Sequence, residues 1–462
     1  MQKPLCLTLL CGILWTILAP IGLAGEVHDR HVIVICVDGL PAYLFGDKNA
    51  PMPNIRKLAA NGVVAEGMVV ANPAVTWPNH TSLMTGVWPE RHGVLFNGVL
   101  ERPGLGLPIK VNPRKDKLDL VQVPTVYDAI HQHGMKVAAI NWPCTRNASS
   151  IDDDFPDVPD TFQFTTPRLI ASMKQAGVVT DEDIEGFIKL SSPARDRVWT
   201  EAVCHVIRER KPQLTLFHLL NVDSVHHQYG PRTNAGYSAV AYADSCVGDV
   251  IAAVDDAGIR DRTTILIVSD HGFIPVPRTL LPNVVLRQAG LLTVENGQAV
   301  TARVHVYPEG GIGMVYLTVP DRREEDRARV IELFRDRPEI AEILTPDDFP
   351  RFGLPLPGDH PQMADLVLVA KDGFGFNIRP TGDEFVINSE TTVGMHGFLS
   401  TNPRMNATFV ASGHRIRKGM SLGMIENRDV APTIATLLSV PFETAEGRVL
   451  NEIFDGPAQS AE

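Results

Sequence analysis

Three apolar runs in the 462-residue sequence each end on an aspartate: Asp38 after VIVICV, Asp223 after LTLFHLLNV and Asp270 after TTILIVS. Such runs read as buried strands, and open α/β sheets bind ligands beyond the carboxyl ends of their strands. One aspartate there is as readily a helix cap. Three together repel one another strongly unless cations join them. Histidines accompany two of them: His227 follows Asp223 by four residues, and His271 follows Asp270 directly. His396 lies far downstream between the glycines of GMHGF, which let backbone approach a site closely. Recurring Asp and His pairs suit zinc better than magnesium or calcium. His226 stands beside His227, and spacing alone does not choose between them.

The segment ANPAVTWPNHTSLMTG places Thr76 ahead of a stretch, His80 to Thr85, that can begin a helix. A hydroxyl at a helix N-terminus is placed for phosphate chemistry. Thr76 is equally a candidate for a plain N-cap. As a nucleophile a hydroxyl is weak until a base or a metal activates it, and the Asp and His set can supply that metal.

The elements that must hold these residues alternate. Strands are expected at His31 to Asp38, Lys136 to Ile140, Leu214 to Val222, Thr263 to Ser269 and Asn406 to Ala411. Helices are expected at Pro53 to Asn61, closed by Gly62, and at Ala235 to Ala257, ending at Gly258. Strands this apolar are covered on both faces, so the class is α/β, a central mostly parallel sheet sandwiched by helices. Residues 25–280 read as the first part of this core, with an acidic, proline-rich insertion at 150–195, and 391–462 as its last part. Residues 281–390 read as an inserted α+β lobe. Its strands are expected at Gly313 to Val319 and Asp365 to Ala370, with a charge-rich helix from Asp321 to Arg337.

Composition narrows the class. Hydrophobic residues make up 44 % and charged residues 21 %, which excludes a disordered chain. The net charge of -12 argues against wrapping of nucleic acid, though a metal site can still reverse the local field for a small anion. Lys3, the apolar run Leu5 to Leu18, and then Pro20, Gly22 and Ala24 read as a signal peptide cleaved near Ala24. The run is short for a membrane span, so a secreted or periplasmic protein without a stable membrane anchor is expected. Four cysteines lie beyond the leader and form no C-x-x-C pair. Cys36 reads as a buried thiol, and Cys204 and Cys246 as candidates for pairing in an oxidising compartment.

Taken in order, VDGLPAYLF, APMPNIRKLAANG, TWPNHTSLMTGVWPERHGVLFN, NVDSVHHQYGP, SDHGF and GMHGF resemble the alkaline phosphatase superfamily, in particular its nucleotide pyrophosphatase/phosphodiesterase branch. The resemblance runs from His31 to Phe398. It implies an alkaline phosphatase-like fold and two Zn²⁺ per chain. One ion would be held by Asp38, Asp270, His271 and the Thr76 oxygen, the other by Asp223, His227 and His396. It selects His227 over His226, makes Thr76 the nucleophile of a phospho-threonine intermediate, and gives Asn97 a contact to the phosphoryl oxygen. NWP at Asn141 to Pro143 resembles a segment common in that branch, which implies a substrate contact for Trp142. Where many relatives continue with glycine this chain has Cys144, Thr145 and Arg146, so Arg146 is a further candidate for the substrate pocket. The implied substrate is a small phosphate ester, a nucleotide or another diester. A phosphomonoesterase, a phosphonoacetate hydrolase and a non-catalytic zinc-binding relative are the rival readings.

Overall fold

The structure is a computed structural model that describes residues 29–157, 161–389 and 393–456; the expected leader, 1–24, lies outside the described residues. Its centre is an eight-stranded sheet. The strands are β1 (His31–Val37), β2 (Gly62–Val69), β3 (Val137–Ile140), β4 (Asp153–Phe155), β5 (Leu214–Leu219), β6 (Thr263–Val268), β7 (Phe409–Gly413) and β8 (Met420–Glu426). Their spatial order is β8-β2-β7-β6-β1-β5-β3-β4. All neighbours are parallel except β7, which is antiparallel to both β2 and β6. This is the expected α/β architecture.

The flanking helices are α1 (Pro53–Ala60), α2 (Thr76–Thr85), α3 (Val126–Gln132), α4 (Ser192–Arg210), α5 (Asn221–Tyr229), α6 (Asn234–Asp256) and α7 (Val430–Leu437). Side chains alternate across a strand, and β1 divides its payload accordingly. Val32, Val34 and Cys36 pack with Leu83 of α2, Ile130 of α3 and Ile434 of α7. Ile33, Ile35 and Val37 pack with Ile55 of α1, Val203 of α4 and Val247 of α6. Every residue of β1, β5 and β6 is buried, so their periodicity shows no polar face. That is why these strands read as unbroken apolar runs.

Three expectations need correction. The run Leu214 to Val222 is not one strand. Its ladder to β1 stops at the pair Val37 and Leu219, where β1 itself ends, and the chain turns into α5. Asp223 therefore sits in the first turn of a helix, and the four-residue spacing to His227 puts both on one helix face. Residues 153–155 pair with β3 as the edge of the central sheet, so the stretch 150–195 opens inside the core before its helices at Pro167–Gln175 and Asp181–Gly186. Cys204 and Cys246, on neighbouring helices, are free buried thiols, as are Cys36 and Cys144.

Within 281–390, Val304–Glu309, Ile312–Leu317, Leu366–Ala370 and Ile340–Leu344 form, in that order, a four-stranded antiparallel sheet. The charge-rich helix spans Arg323–Phe334. The hydrophobic cluster on the α2 face of the central sheet continues through Val304, Val315 and Leu366, so the lobe is welded to the core by shared apolar packing. The hairpin of Val304–Glu309 and Ile312–Leu317 also braces the chain near His396: Gly311 N–H donates to the His396 carbonyl at 3.0 Å. Gly310 has φ +78°, and a Cβ there would lie 2.2 Å from that carbonyl oxygen. Only glycine fits. Among the described residues no helix is long and apolar enough to cross a membrane.

Candidate functional site

Asp38 follows β1 and Asp270 follows β6, the adjacent parallel strand, so their carboxylates emerge side by side at the carboxyl edge of the sheet. Asp270 Oδ1 accepts the backbone N–H groups of Gly39 and His271, both at 3.1 Å. That leaves Oδ2 turned inward, 3.3 Å from His271 Nε2. Asp38 Oδ1 lies 3.4 Å from the same nitrogen. On the α5 side, Asp223 Oδ1 lies 3.5 Å from His227 Nε2 and 3.6 Å from His396 Nε2.

The three histidines share one arrangement. Nδ1 faces a backbone carbonyl in each: Gly272 for His271 at 3.2 Å, Gly394 for His227 at 3.1 Å and Ala74 for His396 at 2.9 Å. Nδ1 must then carry the proton, and each neutral ring aims the lone pair of Nε2 at carboxylate oxygens. Lone pair facing carboxylate is repulsive unless a cation lies between them. This is the orientation that outer hydrogen bonds impose on metal-ligating histidines. Asp38 Oδ1, Asp223 Oδ1, Asp270 Oδ2 and His271 Nε2 are all buried without a hydrogen-bond partner. Orphaned polar atoms of this kind demand an explanation.

Electrostatics agree. Burial, then the charges of Asp270 and Asp223, push the Asp38 carboxyl well above its usual range. Burial also raises Asp223, with His227 opposing. Burial holds His271 neutral, its pKa lowered to about 3, and lowers His396 strongly as well. Neutral imidazoles and crowded carboxylates are a donor set that a divalent cation satisfies. Asp38, Asp270 and His271 bring one ligand atom each within 4.8 Å of one another, and so do Asp223, His271 and His396. His271 thus belongs to both sets, whereas His227, one-third exposed, joins through Asp223. His226 turns away, with its Nδ1 against the Gly39 carbonyl at 3.2 Å.

Thr76 is the first residue of α2, and Val75 holds the N-cap position without a side-chain bond. The cap reading of Thr76 is therefore corrected: the chain enters the helix one residue earlier, and the hydroxyl is not spent on capping. The helix start is tied to the carboxylates on two sides. His396 and Gly397 both donate to the Ala74 carbonyl, and His80, with Nδ1 on the Thr76 carbonyl at 2.9 Å, comes within 3.7 Å of Asp270 Oδ2. Asn97 Oδ1 accepts the Trp77 N–H at 2.9 Å, which leaves the Asn97 amide N–H₂ as the group available to a ligand. Asn97 is exposed.

Trp142 and Arg146 do not meet the substrate-contact expectation. Trp142 is 1 % exposed and makes a T-shaped contact with His80, ring centroids 4.8 Å apart, so its ring is spent on packing. The Arg146 guanidinium is held by Asp116 and lies over the Phe164 ring at 4.3 Å. Two residues that sequence reasoning missed are close to the centre. His218, fully buried in β5, meets Asp38 Oδ2 at 2.9 Å and the Asn141 carbonyl at 2.9 Å. A proton must lie between His218 and Asp38, and that contact turns Asp38 Oδ1 toward the cluster. The available signal was a lone histidine inside an apolar strand. His80 lay within the TWPNHTS segment itself.

Asn79 locks the approach to Thr76. Its amide accepts from Ala71 N–H at 2.7 Å and Asn427 Nδ2 at 2.8 Å, and donates to the Pro73 and Val75 carbonyls at 3.2 and 2.9 Å. Asn79→Ala strips partners from several buried polar groups at once. It is expected to destabilise the fold by about 3 kcal/mol, read as a lower urea midpoint at unchanged m-value.

Comparison with known proteins assigns the chain to a family. Residues 32–399 match the model of the type I phosphodiesterase / nucleotide pyrophosphatase family. An uncharacterised pyrophosphatase/phosphodiesterase of Schizosaccharomyces pombe is 24 % identical over 441 residues, 91 % of this chain and 79 % of that protein. Mouse ectonucleotide pyrophosphatase/phosphodiesterase family member 1 is 23 % identical over 252 residues, which span 54 % of this chain and only 24 % of that protein. Murine ectonucleotide pyrophosphatase/phosphodiesterase 5 shares the fold, with TM-score 0.67 at 16 % identity over 92 % of this chain and 100 % of that one. An inactive threonine-to-alanine variant of the same murine protein, in complex with AMP, matches equally well. With the family pattern covering most of the chain and the fold in common, the chain belongs to the type I phosphodiesterase / nucleotide pyrophosphatase family.

Proposed function

We propose that the protein is a secreted, zinc-dependent phosphodiesterase/nucleotide pyrophosphatase that cleaves phosphate diesters through a phospho-threonine on Thr76. The observation that carries this reading is the inward aim of the Nε2 lone pairs of His227, His271 and His396 onto the oxygens of Asp38, Asp223 and Asp270. Asp38, Asp270, His271 and Thr76 would hold one Zn²⁺, and Asp223, His227 and His396 the other. When bound, the two ions lower the pKa of the nucleophilic hydroxyl and neutralise charge on the departing oxygen. With three carboxylates and an ionised Thr76 against two divalent cations the site is near neutral, which suits a diester monoanion.

The chain's own residues do the rest. Thr76 Oγ1 attacks phosphorus in line, forming the Thr76 O–P bond as the bond to the leaving alcohol breaks. The Asn97 amide donates to a non-bridging phosphoryl oxygen where negative charge gathers. Water then attacks the phospho-threonine from the face the leaving group vacated, releasing a phosphomonoester and restoring Thr76. The AMP held by the inactive murine variant supports a nucleotide product in this family, and the leader-like residues 1–24 support secretion.

A monoester dianion carries one more charge than a diester and needs additional cationic contacts to profit from it. Arg146, the basic residue that follows the NWP segment, is already engaged by Asp116. With leaving-group-matched aryl substrates, kcat/KM is therefore expected to favour the diester by about tenfold or more, ~1.4 kcal/mol in the transition state. Faster cleavage of the monoester would overturn the diesterase reading and make Arg146 the first residue to replace.

A further inference from the structure

Helix α5, which carries Asp223 and His227, begins without a cap of its own: Leu220 occupies its N-cap position and offers no side-chain acceptor. The amides at that end are taken by another helix. Asp196, near the start of α4, is 0 % exposed. Its Oδ1 accepts the Leu220 N–H at 2.9 Å, and its Oδ2 accepts the Asn221 N–H at 3.0 Å. A second contact joins the same two helix ends, Ser192 Oγ donating to Ser224 Oγ at 3.0 Å.

A buried carboxylate is costly unless it is hydrogen-bonded. Here both oxygens are engaged by amides at a helix N-terminus, which offsets part of the burial that raises this carboxyl to about 7. Two bonds to successive residues fix the first turn of α5 in rotation as well as in distance. Asp223 lies two residues beyond Asn221, inside that turn, and Ser224 is its neighbour. A slip of α5 would carry Asp223 and His227 away from His396. It would leave Asp38, Asp270 and His271 in place, because these hang from β1 and β6. We infer that Asp196 is a positioning residue whose two-oxygen grip on α5 sets the affinity of the Asp223 half of the site for its cation. This rests on the metal-binding reading proposed above.

The test is a zinc titration of the metal-free full mature protein against a chromophoric chelator. Asp196→Asn keeps the shape but replaces one acceptor by an N–H₂ that faces a backbone N–H. Wild type is expected to take up two ions. In D196N one ion is expected to bind as in wild type while the other weakens by about 10- to 100-fold, the usual cost of losing an outer partner. Unchanged binding of both ions, or equal weakening of both, overturns the assignment. Ser192→Ala, which leaves Asp196 in place, is expected to loosen the same ion by about two- to fivefold. No change there overturns the contact between the helix ends, and this variant carries the test if D196N does not fold. Hydrogen exchange on the metal-free proteins gives a readout without zinc. The Leu220 and Asn221 amides are expected to exchange faster in D196N, and equal exchange overturns the grip. A wild-type protein that binds no zinc refutes the metal reading instead, and the exchange result then decides on the grip alone.

Discussion

Thr76→Ala is expected to reduce turnover of an aryl phosphodiester by on the order of 10⁴-fold or more, the scale seen when other covalent nucleophiles are removed. The neighbouring hydroxyls of α2 are engaged elsewhere, Ser82 Oγ with His92 Nε2 at 2.9 Å. Thr81 and Thr85, further along α2, both donate their hydroxyls back to helix carbonyls, Thr81 to Trp77 at 2.8 Å and Thr85 to Thr81 at 2.7 Å. Thr76 stands at the first helical position, where its hydroxyl caps nothing. The substitution therefore removes the proposed nucleophilic oxygen while the helix start stays clasped through Ala74 and His80. Zinc content is expected to stay near wild type, because the Asp and His side chains are untouched. Mass spectrometry of acid-quenched wild-type enzyme should show a phosphoryl group on Thr76, and none in the variant. Near-wild-type rates in a clean T76A preparation would remove Thr76 from the mechanism.

The chemistry was more legible in the sequence than its geometry. Asp38 and Asp270 end strands whose full burial made them unbroken apolar runs, so their placement at one sheet edge followed from the pattern. Asp223 was misplaced by the same signal. A buried strand and the buried start of a helix are equally apolar, and only the end of β1 decides where pairing stops. The His226 and His227 rings are turned apart by tertiary carbonyls, Gly39 facing one ring and Gly394 the other, which no local pattern encodes. His218 escaped notice because one histidine in a strand has no spacing to betray it; its meaning appears only when β5 lies beside β1. Trp142 and Arg146 fit the motif neighbourhood in sequence, yet one is packed against His80 and the other is held by Asp116. Sequence proximity to a motif says little about which way a side chain faces.

Chelation is expected to abolish turnover, and added zinc to restore it, because the donor beside Thr76, the Asn97 amide, is neutral and cannot by itself activate the hydroxyl. His271 and His396 are neutral by burial, so neither supplies a cation to phosphate at working pH. Stability should record the same dependence. Asp38 and Asp223 are raised above their unfolded values, so the metal-free fold holds more protons than the unfolded chain until they ionise. Stability then falls as pH rises through that range. The lowered histidines work in the opposite sense: their contribution is lost as pH drops below their unfolded value near 6.5 toward about 3 for His271. About a unit above the unfolded value near 6.5 the histidine contribution is complete, and raised carboxyls, Asp196 at about 7 among them, remain to act. The thermal midpoint of the metal-free protein is therefore expected to decline as pH rises through the ionisation of these carboxyls, whereas zinc, by pairing with the Asp38 and Asp223 oxygens, should make the decline of the loaded protein shallower. The gap between the two midpoints should widen with pH, and at fixed pH it should grow with free zinc as binding linkage requires. Melting curves at matched ionic strength check both trends. A chelated protein with full activity, or a gap that narrows as pH rises, would mean that the three carboxylates are not held together by a cation.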